Sequence, residues 1–228
     1  GKTQFYLELM TKVALGRNFL DYTISKPRKV LFLSLEMGME LRVFLEAQAK
    51  VLSEADYAVL EENLIIIPHG ESWALNQPLG QQALCQFIEE FEVDGVFVDS
   101  IGSAIIGNIN SQEVVQSYNN FVDSVRKKYN IFWGAIHHTR KKAAGQTGSS
   151  QDDVYGDQYL VARASSVYAL QRGRDGVIKL DNWKMRLAEK QDRQYILRDS
   201  STLTFSKTTE GVADGKVIIS SEPGETSG

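Results

Sequence analysis

Gly1-Lys2-Thr3 opens the chain, and Val96-Phe97-Val98-Asp99-Ser100 puts an acid at the end of an apolar strand. Read together, the two stretches are the halves of a phosphate-binding site. Gly-Lys-Thr is the last third of the P-loop motif G-x-x-x-x-G-K-[ST], in which the Lys neutralises β- and γ-phosphate charge and the Thr hydroxyl ligates Mg²⁺. The N–H groups at the start of the next helix face the phosphate oxygens. A strand-end Asp holds the same Mg²⁺. This reading assigns Gly1, Lys2, Thr3 and Asp99 to ATP, and Thr3 and Asp99 to Mg²⁺. A bare Gly-Lys-Thr is also what a surface lysine in a frayed terminus looks like. The strand and glycine that come before the motif are not in the sequence, so a piece of a longer protein is expected. The rest of the chain decides between the readings.

Working outward, Gln4 to Leu15 reads as the helix after the P-loop, with Phe5, Leu7, Leu9, Val13 and Ala14 apolar and Gly16 ending it. Val30 to Leu35 is a nearly unbroken apolar run, as in a strand buried on both faces. Leu64–Ile67, Gly95–Asp99 and Ile131–Ile136 are further strands. Helices are expected over Met39–Leu52, Leu79–Phe91 and Gln112–Tyr129. The last carries the inner stripe Val114, Val115, Tyr118, Phe121, Val122 and Val125. Val167–Leu170 and Val177–Leu180 are expected to run antiparallel around Gly173–Gly176. Tyr195–Leu197 and Leu203–Phe205 suit a closing hairpin. Strands alternating with helices mean an α/β fold, a mostly parallel sheet with right-handed crossovers and antiparallel strands at its C-terminal end. Ligands of such sheets sit at the carboxyl ends of the strands. The domain is expected over residues 1–208. Residues 209–228, rich in Gly, Ser and Glu, are expected to be a mobile tail.

The composition fits one domain with a full-sized core: 228 residues, 43% hydrophobic and 24% charged. A net charge of −4 means that the surface as a whole does not attract nucleic acid, so any polyanion site is local. Cys85 is the single cysteine, which excludes an internal disulfide and suits a reducing cytoplasm. There is no run of eighteen apolar residues and no signal peptide, so neither a membrane nor secretion is indicated.

Three buried strands end in polar side chains. Glu36 follows Val30–Leu35, Asp99 ends Gly95–Val98, and His137 and His138 follow Ile131–Ile136. All three endings would converge on one crevice beside Lys2 and Thr3. Ser34-Leu35-Glu36-Met37 is similar to the SLEM signature of the replicative helicase ATPases of the DnaB/RepA type, a branch of the RecA-like P-loop NTPases. The order of Gly-Lys-Thr, this signature, a strand-end Asp, a strand-end His with a basic cluster, and then K-x-R resembles that branch over residues 1 to 206. His137-His138-Thr139-Arg140-Lys141 looks most like its RepA-like subgroup.

The resemblance implies a RecA-like core that assembles as a homo-oligomeric ring, usually a hexamer. It implies that Glu36 is the general base that polarises the attacking water. Outside that pattern, Glu36 is simply an acid favoured by a helix N-terminus. It implies that His137 is the γ-phosphate sensor, with His138 the alternative because the register is open by one residue. Adjacent strand residues point to opposite faces. Both histidines therefore do not suit one metal. Lys184-Met185-Arg186 resembles the element that reaches into the neighbouring subunit's site, where an arginine finger stabilises charge on the γ-phosphate. Without that role, Lys184 and Arg186 are a solvated basic pair.

Two loops come after the catalytic strands, Ile101–Ser111 and Thr139–Tyr155. Arg140, Lys141 and Lys142 in the second suit contact with the phosphates of single-stranded DNA, and equally suit a solvated surface. Only Tyr155 could stack on a base, so backbone electrostatics would dominate. Gly156-Asp157 stands where relatives often have Gly-Ser. Loader or primase partners are not readable. Three readings stay open: an ATP-driven helicase, a RecA-like recombination or regulatory ATPase, and a truncated nucleotide-binding module without turnover.

Overall fold

The computed structural model describes residues 1–68, 73–139, 154, 158–173 and 176–209. Its centre is two apolar runs. Val30–Ser34 (β1) and Gly95–Asp99 (β3) are buried at every position and pair in parallel from Val30↔Gly95 to Ser34↔Asp99. Alternate side chains of a strand enter opposite faces. Leu31, Leu33, Val96 and Val98 pack in one core with Leu84 and Ile88 of Pro78–Phe91 (α4) and Val115 and Tyr118 of Gln112–Tyr129 (α5). Val30, Phe32 and Phe97 pack in the other, with Leu7, Met10 and Ala14 of Lys2–Leu15 (α1) and Leu41 of Glu40–Ala49 (α2). Helices thus cover both faces, which is why the two central runs show no polar alternation. Leu64–Ile67 (β2) and Phe132–Ala135 (β4) flank them in parallel, giving the order β2-β1-β3-β4.

Gly16 ends α1 with φ 65°, and a side chain there would run into the backbone of Pro27. Glu54–Asn63 (α3) is a helix that the apolar pattern does not predict. Only Asp56 of this helix is buried, so it carries no apolar stripe. Its signal is a capping box: Ser53 Oγ accepts from Asp56 N at 3.2 Å, and Asp56 Oδ2 accepts from Ser53 N at 3.0 Å.

After the short helix Tyr159–Arg163 (α6), a second sheet is wholly antiparallel. Ser166–Arg172 (β5), Ile178–Met185 (β6), Gln194–Arg198 (β7) and Phe205–Thr208 (β8) lie in that order. The closing hairpin is present, but its second strand starts later than expected. Leu203 has φ 58°, and Asp199 Oδ1 accepts the N–H groups of Ser201 and Thr202, both at 2.8 Å. Residues 199–204 are therefore a turn. The two sheets stay separate. Consecutive residues of the β4 edge, 132–139, and of the β5 edge, 163–171, line a cavity of about 1040 Å³.

The antiparallel sheet packs on α1 through Phe5, Phe19, Leu180, Ile196 and Phe205. Beside this cluster Glu8 is 3% exposed, and its Oε2 accepts the Phe205 N–H at 2.7 Å. Burial pushes the Glu8 carboxyl from its ordinary 4.5 up to about 7, against the opposing Phe205 hydrogen bond and Lys12 charge. An acid raised by folding is easier to ionise unfolded. Its neutral form costs the fold nothing below pH 4.5, and stability then declines as pH rises to about 7. Glu8→Gln is expected to be more stable than wild type at pH 8, by about 2 kcal/mol. The gain should fade toward pH 4.5, as read by denaturant unfolding across pH. A gain independent of pH would contradict this.

Candidate nucleotide site

The chain runs from β1 outward to β2 on one side and from β3 outward to β4 on the other. Loops leaving β1 and β3 therefore diverge and open a crevice at the carboxyl ends of the strands. Glu36 lies just past β1, and Asp99 and Ser100 close β3. Lys2 and Thr3 stand in the first turn of α1. Segments far apart in sequence thus meet at one point.

Asp99 is 1% exposed, and the Thr3 hydroxyl beside it favours its ionised form. Burial holds its carboxyl above the usual range. The Thr3 hydroxyl and the His138 and Lys2 charges oppose this, and the Glu36 charge adds to it. Its Oδ2 is buried with no hydrogen-bond partner among the described residues. An unpaired buried carboxylate oxygen is costly unless a cation meets it. Thr3 and Asp99 are hard oxygen donors of the kind Mg²⁺ takes. The residues present therefore fit that ion.

Glu36 is held by one oxygen. Oε1 accepts from Ser100 Oγ in a short hydrogen bond, from Ser103 Oγ at 3.1 Å and from His138 Nε2 at 3.4 Å. Burial raises this carboxyl, but the donors from Ser100, His138 and Ser103 outweigh it and leave it below the usual range. Glu36 is thus an ionised acceptor at neutral pH. His138 continues the chain of contacts, because its Nδ1 accepts from Lys2 Nζ at 3.4 Å. The His138 ring thus lies between Lys2 and Glu36.

The histidine that joins Lys2 and Glu36 is therefore His138, the alternative position, and not His137. The side of the sheet explains it. A side chain at Gly134 would strike the Tyr6 hydroxyl of α1, so Gly134 faces α1. The period of two places Ile136 and His138 on that same side. Trp133 and Ala135 pack in the core with α5, and His137 continues their alternation. His137 is half-buried and lines the cavity between the sheets.

Lys184 and Arg186 do share a direction. Lys184 Nζ donates to the carbonyls of Val161 at 2.5 Å and Ala162 at 3.0 Å, and Arg186 donates to Ala162 in a short bond. Within one chain they rest on the carbonyls of α6, away from the hydrogen bonds that join Lys2, His138 and Glu36. Desolvation lowers the Lys184 ammonium, and the Arg186 charge adds to that.

Ser103 is not legible in the sequence as a partner of Glu36. Its place depends on the turn after β3, where the Ser103 and Ala104 N–H groups donate to Ser100 O at 3.2 and 3.1 Å. Arg140, Lys141 and Lys142, with Tyr155, Gly156 and Asp157, lie outside the described residues, as does the tail from residue 210.

No described helix is long and apolar enough to cross a membrane. No curated protein matches the chain. Residues 1–144 match the family AAA_25, described as an AAA domain. The matched range contains Lys2, Thr3, Glu36, Asp99 and His138 and ends before the antiparallel sheet. The chain belongs to this AAA-domain family, a class of P-loop ATPases.

Proposed function

We propose that the protein is an ATP-driven nucleic-acid motor, a RecA-like helicase ATPase that hydrolyses ATP between subunits of a ring and moves along single-stranded DNA. The observation that carries the hydrolytic reading is the contact chain Lys2–His138–Glu36 beside the buried Asp99. The Ser34-Leu35-Glu36-Met37 signature adds the helicase branch to it.

Charge and position give each residue its role. Lys2 and the N–H groups of the first turn of α1 take the phosphate end of ATP. Thr3 and Asp99 hold Mg²⁺, which when bound neutralises charge on the phosphoryl oxygens. Glu36 accepts the proton of a water aligned on the γ-phosphate; phosphoryl transfer asks little beyond such positioning and charge. His138 touches both Lys2 and Glu36, so it is the γ-phosphate sensor in this reading. Arg186, exposed just past β6, completes a neighbour's site, with Lys184 beside it. A site shared head to tail closes into a ring, here a hexamer.

Arg140, Lys141 and Lys142 come directly after the His138 segment and bind the DNA backbone. Neutralising Lys141 and Lys142 together in the full-length protein is expected to weaken single-stranded DNA binding at low salt. The salt dependence of log K should become shallower by about 0.7 for each phosphate no longer neutralised. Unchanged affinity and slope in a fluorescence-anisotropy titration would place DNA elsewhere.

A further inference from the structure

Glu36 Oε1 takes three donors, while its Oε2 accepts no hydrogen bond among the described residues. One carboxylate oxygen is thus fastened and the other is left to the crevice. Two of the fasteners, Ser100 and Ser103, belong to a single turn, closed by the N–H groups of Ser103 and Ala104 on Ser100 O. They differ in surroundings. Ser100 is fully buried beside Asp99, whereas Ser103 is exposed. Ser103 also opens the segment 103–111, whose next residues are tied down elsewhere. The Ala104 carbonyl accepts from Leu75 N at 2.8 Å. The Asn76 amide both donates to Ile106 O at 2.8 Å and accepts from Ile106 N at 2.9 Å. Beyond that clamp Gly107 and Asn108 are exposed.

We propose that Ser103 is a positioning residue that holds Glu36 by Oε1 and ties its orientation to the turn that follows β3. The inference rests on Glu36 being the general base. Ser103 touches neither nucleotide nor water in this scheme. Its hydroxyl donates to Oε1 and keeps Oε2 facing the crevice. Ser100 and His138 hold the same oxygen, so losing Ser103 loosens the carboxylate without releasing it and without emptying a core position.

The test is steady-state ATP hydrolysis by the full-length protein carrying Ser103→Ala or Ser103→Thr, beside Glu36→Gln. Ser103→Ala is expected to lower kcat roughly tenfold with KM for ATP unchanged, since misplacing a reacting group costs rate rather than ground-state binding. Ser103→Thr keeps the hydroxyl and is expected to restore kcat to within about twofold. A purely structural role would lower thermal stability along with rate and would not be rescued by the hydroxyl alone. Wild-type kcat in Ser103→Ala, with Glu36→Gln inactive, would overturn the role of Ser103. Wild-type kcat in Glu36→Gln would instead overturn the assignment of Glu36 on which it rests.

Discussion

Glu36→Gln is expected to lower ATP turnover by about 10²–10⁴-fold in the full-length protein, the range a positioned general base supplies. The substitution is nearly isosteric. The Gln carbonyl oxygen can still accept from Ser100, Ser103 and His138, the partners of Oε1. The fold and the nucleotide pocket therefore persist, and ATP affinity should stay within a few-fold of wild type. What is lost is the ionised oxygen. In the native site those donors keep the Glu36 carboxyl below its usual range even though burial pushes the other way. An amide has no comparable basicity at any working pH. Single-turnover hydrolysis with nucleotide affinity measured in parallel separates the two effects. Turnover near wild type would return Glu36 to the plainer role of an acid ahead of α2.

Arg186→Ala is expected to lower turnover by about 10³-fold, within the range of arginine fingers acting in trans. Inside one chain Arg186 donates to the Ala162 carbonyl beside Lys184. A guanidinium has five N–H donors, so that contact leaves others for a neighbouring phosphate. With the proposed roles, a single subunit binds ATP through Lys2 and Thr3, and that binding should persist. Mixing distinguishes trans action from a local packing loss. A Lys2→Ala subunit still offers its Arg186, and an Arg186→Ala subunit still offers an intact pocket. Combined, they form some complete sites, and part of the activity should return. No recovery on mixing, with thermal stability lowered in Arg186→Ala alone, would make Arg186 a cap on α6 and nothing more.

Much of the fold is legible in runs of residue type. β1 and β3 are covered on both faces, so their sequences are continuous apolar blocks, and the helix over Gln112–Tyr129 appears with the expected limits. Because such strands run parallel, their polar endings have to lie at one edge. That is how the sequence alone places Glu36 and Asp99 together. What stays hidden depends on pairing and side. Nothing in His137-His138 tells which of the two faces α1; the packing of Gly134 against Tyr6 does. Nothing in Leu203 announces a left-handed backbone, so the last hairpin begins later than its apolar residues suggest. Ser103 reaches Glu36 only through a turn whose hydrogen bonds close on Ser100. The helix over Glu54–Asn63 has its signal in Ser53 and Asp56, but lacks the apolar stripe by which helices are usually found.

The most direct test is steady-state ATP hydrolysis by the full-length protein with and without single-stranded DNA, at rising protein concentration. Turnover is expected to depend on Lys2, to rise with subunit concentration as shared sites form, and to be strongly stimulated by DNA. Turnover indifferent to both DNA and concentration would contradict the motor and favour a regulatory ATPase. No turnover at any concentration would contradict the hydrolytic site itself.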